Sequence, residues 1–137
     1  MSASNRFVRV FEVMTSEVRT ASPGDGLREV WGMLLDERCH HLPVADGKRP
    51  VGMISTRDLL RISGKNGGEK LSSGDYGDRT ANEIMSRDLE TIHVDESVEA
   101  AIDRIGRGDI HALVVVNDAD ELVGIVTNHD LLHYLIS

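Results

Sequence analysis

The chain matches itself. Residues 10–46 align without a gap on residues 81–117 at an offset of 71, sharing Glu12/Glu83, Met14/Met85, Thr20/Thr91, His40/His111, Leu42/Leu113 and Val44/Val115. One extra residue then enters the second copy and the offset becomes 72. Val51-Gly52 matches Val123-Gly124, and Asp58-Leu59-Leu60 matches Asp130-Leu131-Leu132. A repeat constrains the fold more than any composition does, because both copies must adopt one supersecondary unit. Each copy has about 55 residues, below the size at which a single core is comfortable. Two copies packed face to face about a pseudo-two-fold axis, sharing a core, is the economical arrangement.

Each copy reads β-α-β-β-α, an α/β (α+β) class of fold. A short amphipathic turn opens it: Val10, Phe11, Val13 and Met14 in copy 1, and Thr80 with Glu83 as a capping box before Ile84-Met85 in copy 2. A short extended segment follows. Then comes a helix with Asp25 or Asp95 as the expected N-cap. Leu27, Val30, Trp31, Leu34 and Leu35 form its apolar face in copy 1, and Val98, Ala101, Ile102 and Ile105 in copy 2. The runs His41-Leu42-Pro43-Val44-Ala45 and Ala112-Leu113-Val114-Val115-Val116 suit buried strands. They return through hairpins to Val51–Ser55 and Leu122–Thr127, and final helices start near Thr56 and Asn128, both good N-caps. The stretch from Ser63 to Asp78 is rich in Gly, Ser and Asp. The expected organisation is therefore repeat 1 over residues 8–62, a flexible linker over 63–79, and repeat 2 over 80–137.

Charge and composition exclude several functions. The 137 residues hold 15 basic and 23 acidic groups, a net charge of −8, so there is no global attraction for nucleic acid or an anionic membrane. Aromatic residues make up 4%, too few for a base-stacking platform. No apolar run approaches the roughly 20 residues that span a bilayer. The polar start, Met1 to Phe7, carries no signal-peptide core, and the single cysteine, Cys39, forms no internal disulfide; the chain reads as cytoplasmic. Residues 1–65 carry ten basic and eight acidic groups, residues 66–137 five and fifteen.

Two heptapeptides carry the chemistry: Gly52-Met53-Ile54-Ser55-Thr56-Arg57-Asp58 and Gly124-Ile125-Val126-Thr127-Asn128-His129-Asp130. Glycine lets a backbone or ligand approach the strand closely. Ser55 and Thr127 end a strand with a hydroxyl that can donate to a phosphate or ribose oxygen. Asp58 and Asp130 follow three residues later in the first helical turn, where a carboxylate can accept from two vicinal ribose hydroxyls, leaving phosphate to the hydroxyl and the helix N-terminus. Arg57 can fork onto phosphate; His129 holds its place in copy 2. That difference and the charge split favour copy 1 for the more phosphorylated ligand. An adenine needs an apolar slot with backbone edges. Thr20-Ala21, His41-Leu42-Pro43-Val44, Thr91-Ile92 and Ala112-Leu113-Val114 can supply it, with the copies differing where Val114 replaces Pro43.

With Val10–Met14, Ala81–Met85, Thr20, Thr91 and His41-Leu42-Pro43-Val44, these heptapeptides match the G-h-h-[ST]-x-x-D signature of a known family, where h is hydrophobic. The chain resembles a tandem pair of cystathionine-β-synthase-type (CBS) domains, a Bateman module. That resemblance implies a stand-alone, non-enzymatic sensor that binds an adenine nucleotide or related adenosyl compound in clefts between the repeats. It implies a homodimer and a separate effector protein, with the nucleotide a regulatory ligand and no cofactor required. The alternative is a structural homodimerisation module with unoccupied clefts. His129 and His133 at i and i+4 resemble half of a zinc-protease helix, but aspartate stands where the glutamate base belongs. Cys39-His40-His41 lacks a second ligand pair. The chain contains no phosphate-binding glycine loop or Ser/His/Asp triad.

Overall fold

The computed structural model describes residues 7–37, 40–65, 79–108 and 110–137. Cys39 and residues 66–78 of the expected linker lie outside the described residues. The chain divides into two compact units. Met1–Val18 joins Glu90–Ser137 in a terminal unit, and Arg19–Leu89 forms a central unit.

In the central unit, α1 (Leu27–Glu37) leads to an antiparallel pair, β1 (His41–Asp46) and β2 (Arg49–Ser55), followed by α2 (Thr56–Lys65) and a short α3 (Ala81–Ile84). Its core joins Ala21, Leu27, Val30, Leu34, Leu42, Val44, Ile54, Leu59, Ala81 and Met85. The terminal unit begins with a 3-10 turn at Val10–Glu12 and continues with β3 (Thr91–His93), α4 (Val98–Gly106), β4 (Ala112–Val116), β5 (Leu122–Thr127) and α5 (Asn128–Ile136). Its sheet order is β3-β4-β5, parallel and then antiparallel. The mixed α/β class and the two hairpins are those expected. Leu42–Ala45 and all of β4 are buried, as continuous apolar runs require. The inserted residue falls in the hairpin turn. Gly47 takes φ +66° in the shorter copy; Asp120, a residue type that tolerates the left-handed region, takes φ 60° in the longer one.

The units do not follow the sequence repeats. Each repeat's opening segment is built into the unit that holds the other repeat's strands. Val10 donates to Glu96 O at 2.8 Å, and Val98 to Val8 O at 2.8 Å; Thr15 and Ile125 exchange two backbone bonds at 2.9 Å. In the central unit Leu27 donates to Arg79 O at 3.0 Å, Ala81 to Asp25 O at 2.8 Å, and Ser86 pairs with Met53 at 2.8 and 3.0 Å. The signature glycines make room for these segments. A Cβ on Gly124 would lie 2.5 Å from Met14 Sδ and 2.9 Å from Thr15 O; one on Gly52 would lie 2.5 Å from Met85 Sδ and 2.9 Å from Ser86 O. The close approach read from the sequence is thus made by the protein's own backbone.

Pro43 accounts for the unequal sheets. In the terminal unit Val114 N–H donates to Glu90 O at 3.0 Å, helping β3 join β4. Proline has no N–H, so the matching bond cannot form in the central unit. There Ala21 makes an isolated parallel bridge to Val44.

Several local expectations are corrected. Ser97, not Asp95, caps α4, its Oγ accepting from Ala100 N at 3.1 Å, while Asp95 pairs with Arg9 at 3.3 Å. Asp25 accepts from Ser22 N at 2.8 Å, closing the turn before α1 rather than capping it. Thr80 occupies the N-cap of α3, but its hydroxyl meets Glu83 Oε1 at 3.4 Å and makes no cap bond to an amide. Only Leu27, Val30 and Leu34 of the α1 face are buried in the core; Trp31 and Leu35 are exposed. Thr56 and Asn128 are first helical residues, the caps being the strand-ending hydroxyl residues before them.

Candidate functional site

Both strand–helix junctions carry the same hydrogen-bonded box. In the central unit Asp58 Oδ2 accepts from Ser55 N at 2.8 Å and from Ser55 Oγ at 3.1 Å, while Asp58 N donates to Ser55 Oγ at 3.3 Å. In the terminal unit the corresponding distances for Thr127 and Asp130 are 2.9, 3.2 and 3.3 Å. Asp serves here where the usual box has Glu or Gln, and it satisfies the amides at the helix start. The hydroxyl's proton is thereby directed to the aspartate, leaving an acceptor lone pair for any ligand, not the donor expected from sequence.

The second carboxylate oxygen differs between the units. Asp58 Oδ1 accepts from the Arg61 guanidinium. Asp130 Oδ1 accepts from the Thr15 hydroxyl at 3.0 Å. A carboxylate has about four acceptor positions. The box uses two on Oδ2 and the outside donor one on Oδ1, so each aspartate retains room for one further donor at Oδ1. Two vicinal hydroxyls on one aspartate would need Arg61 or Thr15 to move away.

Strand register gathers the remaining candidates. His41 lies opposite Ser55, and Ala112 opposite Thr127. Ala21 donates to Pro43 O at 2.9 Å and accepts from Ala45 N at 2.8 Å; Thr91 and Ile92 lie beside Val114 and Val115. All candidates of one copy therefore share one unit. The side chains of Ala21, Leu42, Pro43, Val44, Ile92, Ala112, Leu113 and Val114 are buried core, so their backbones are what they present. Thr20, His41 and Thr91 are half-buried, and Arg57 and His129 are exposed.

Three neighbours were missed in the sequence. Thr15 was legible only as a hydroxyl kept in both copies, Thr15/Ser86. Arg61 was legible as a cation three residues after Asp58. Arg104 reaches back from α4 to the Thr91 carbonyl and to Glu90 Oε1 at 2.7 Å, with no sequence signal. Among the described residues no group of three or more His, Cys, Asp or Glu could hold a metal ion, and no helix is long and apolar enough to cross a membrane.

The model of the CBS domain family matches residues 10–65 and 81–137. The uncharacterized protein MJ1232 of Methanocaldococcus jannaschii is 32% identical over 125 residues, 91% of this chain and 38% of that protein. A homoserine O-acetyltransferase of Methanococcoides burtonii is 31% identical over 123 residues, 89% of this chain and 23% of the enzyme. The chain thus spans less than half the length of these curated relatives. Among solved structures, the CBS domain pair of protein MJ0100, in complex with 5′-methylthioadenosine and S-adenosyl-L-methionine, is 26% identical with a TM-score of 0.79, covering 95% of this chain and 97% of that one. CBSX2 of Arabidopsis thaliana, solved with AMP, has a TM-score of 0.80 at 22% identity, covering 94% of this chain and 96% of that one; at that identity the likeness is one of fold.

Proposed function

Because this chain belongs to the CBS-domain family, with one repeat over residues 10–65 and another over 81–137, we propose that it is a non-catalytic regulatory module that binds an adenosine-containing ligand, adenine nucleotides foremost. The observation that carries this reading is the twice-built junction. Each unit ends a strand in a hydroxyl residue and places an aspartate in the next helical turn with acceptor capacity left on Oδ1. One strand over, on the far side of β1 or β4, runs the backbone of Thr20-Ala21 or Thr91-Ile92. The 5′-methylthioadenosine and S-adenosyl-L-methionine bound by the MJ0100 pair support the class. Asp58 and Asp130 receive a ribose hydroxyl, the backbone edges receive adenine, and Arg57 receives phosphate in the central unit.

The output is a population shift. A ligand biases the module only by its difference in affinity between two states, and an effector protein or a second copy senses the bias. Thermal melting against AMP, ADP, ATP, 5′-methylthioadenosine and S-adenosylmethionine tests the reading. A ligand at a hundred times its Kd stabilises by about 2.7 kcal/mol. A rise in Tm with at least one compound, reduced in Asp58→Asn or Asp130→Asn, is expected; no shift with any of them overturns the proposal.

A structural homodimer is the second reading, favoured by the apolar residues on helix surfaces. Leu35 is 65% exposed on α1 and Leu60 69% on α2, and α5 shows Leu132 at 56% and Leu135 at 61%. Light scattering of Leu35→Glu and Leu132→Glu separates the two. A dimer that dissociates in these variants while ligand binding stays absent throughout supports the structural reading.

A further inference from the structure

Repeat-equivalent positions at the two junctions differ in charge, always in one direction. Arg19, before Thr20, is matched by Glu90 before Thr91. Arg57 is matched by His129, and Arg61 by His133. The structure gives the difference an electrostatic setting. Asp58 Oδ1 is paired with the Arg61 guanidinium, whereas Asp130 Oδ1 takes a neutral hydroxyl from Thr15. Arg57 is exposed and has no ion-pair partner among the described residues. In the terminal unit the guanidinium that reaches the start of β3, Arg104, is already paired with Glu90 at 2.7 Å. From Gly108 to Ser137 the sequence contains no Lys or Arg. By unit the imbalance is complete. Arg19–Leu89 holds eleven basic and eleven acidic residues, while Met1–Val18 with Glu90–Ser137 holds four and twelve, the whole net charge of −8.

We propose that the two junctions take different classes of adenosyl ligand: the Ser55–Asp58 junction one that bears phosphate, and the Thr127–Asp130 junction one without phosphate, neutral or cationic at its 5′ substituent. The proposal rests on the adenosine reading above. Both junctions begin a helix, so the helix dipole attracts phosphate equally at each and does not discriminate. What discriminates is fixed charge. A phosphate near Asp58 meets a carboxylate already compensated by Arg61, with the forked donors of Arg57 beside it. Near Asp130 it meets a carboxylate with no guanidinium on it, and imidazoles stand at the positions that Arg57 and Arg61 hold in the other copy. A sulfonium or amine there gains attraction from that same carboxylate.

Isothermal titration with ATP, AMP, S-adenosylmethionine and 5′-methylthioadenosine on the wild type, Arg57→Ala and His129→Arg tests this. Both substituted side chains are exposed, so folding is expected to persist, and circular dichroism checks it. Arg57→Ala is expected to weaken ATP and AMP about tenfold, the loss of a charge-assisted hydrogen bond, and to leave the phosphate-free ligands within about twofold. His129→Arg is expected to add a second ATP site. S-adenosylmethionine and ATP are expected to bind the wild type together. Competition between them for one site, or equal weakening of both ligand classes by Arg57→Ala, overturns the division and leaves the adenosine reading standing. Failure of all four compounds to bind overturns the reading itself and the division with it.

Discussion

Thr15 donates its hydroxyl to Asp130 Oδ1 at 3.0 Å, although 115 residues separate them. The contact exists because Thr15 also pairs through its backbone with Ile125, five residues before Asp130, which fixes the opening segment along β5. The junction in the terminal unit is therefore built from two segments far apart in the chain.

Removing the opening segment should cost the terminal unit its core. Val8 and Val10 are buried there, and Thr15 supplies both backbone bonds to β5. In a chain beginning at Ser16, hydrogen exchange should show lost protection of the Val115, Ile125 and Val126 amides. Unchanged protection at these positions would mean that the segment is an ornament rather than part of the unit.

Gly52→Ala and Gly124→Ala should each destabilise by about 1–3 kcal/mol, the usual range for overpacking. A methionine sulfur 2.5 Å from the new Cβ can swing aside, but the Ser86 or Thr15 carbonyl at 2.9 Å belongs to a paired backbone and cannot. Adding Met14→Ala to Gly124→Ala should therefore recover little. Urea midpoints measure both; full recovery in the double variant would place the conflict on sulfur alone.

How much of this was legible depended on range. The hairpins, buried strands and Asp58/Asp130 junctions followed from period, turn residues and spacing, all short-range signals. The inserted residue was legible because two copies could be compared. The exchange of opening segments was not legible, since Met14 and Met85 sit in similar local contexts and nothing local says which glycine each will cover. The double use of the aspartates was half legible. Ser-x-x-Asp announces a cap as readily as a ligand site, and the structure shows the cap.

Val114→Pro should convert the terminal sheet toward the central one. It deletes the bond from Val114 N to Glu90 O and leaves that carbonyl short of a partner, a loss of about 1–3 kcal/mol. Pro43 opposite Met53 shows that the other side of the ladder accepts proline at this register. Loss of exchange protection at Val94, with β4–β5 protection kept, is the expected pattern; disruption of β4–β5 would contradict it.

Asp58→Ala should cost about 1 kcal/mol, because Ser55 N loses its acceptor at the start of α2. Asp58→Asn keeps one oxygen for that amide and should cost less than half as much. Denaturant unfolding of the pair separates the capping role from the proposed ribose contact. Equal losses would show that charge, not the acceptor, holds the helix start.

The most direct test of the central claim is a crystal structure of the chain grown with AMP and S-adenosylmethionine. The account expects a ribose hydroxyl within hydrogen-bond distance of the Asp58 or Asp130 carboxylate, about 2.5–3.0 Å, and adenine against the backbone of Thr20-Ala21 or Thr91-Ile92. Ligands bound elsewhere, or well-ordered junctions holding neither compound at saturating concentration, would contradict it.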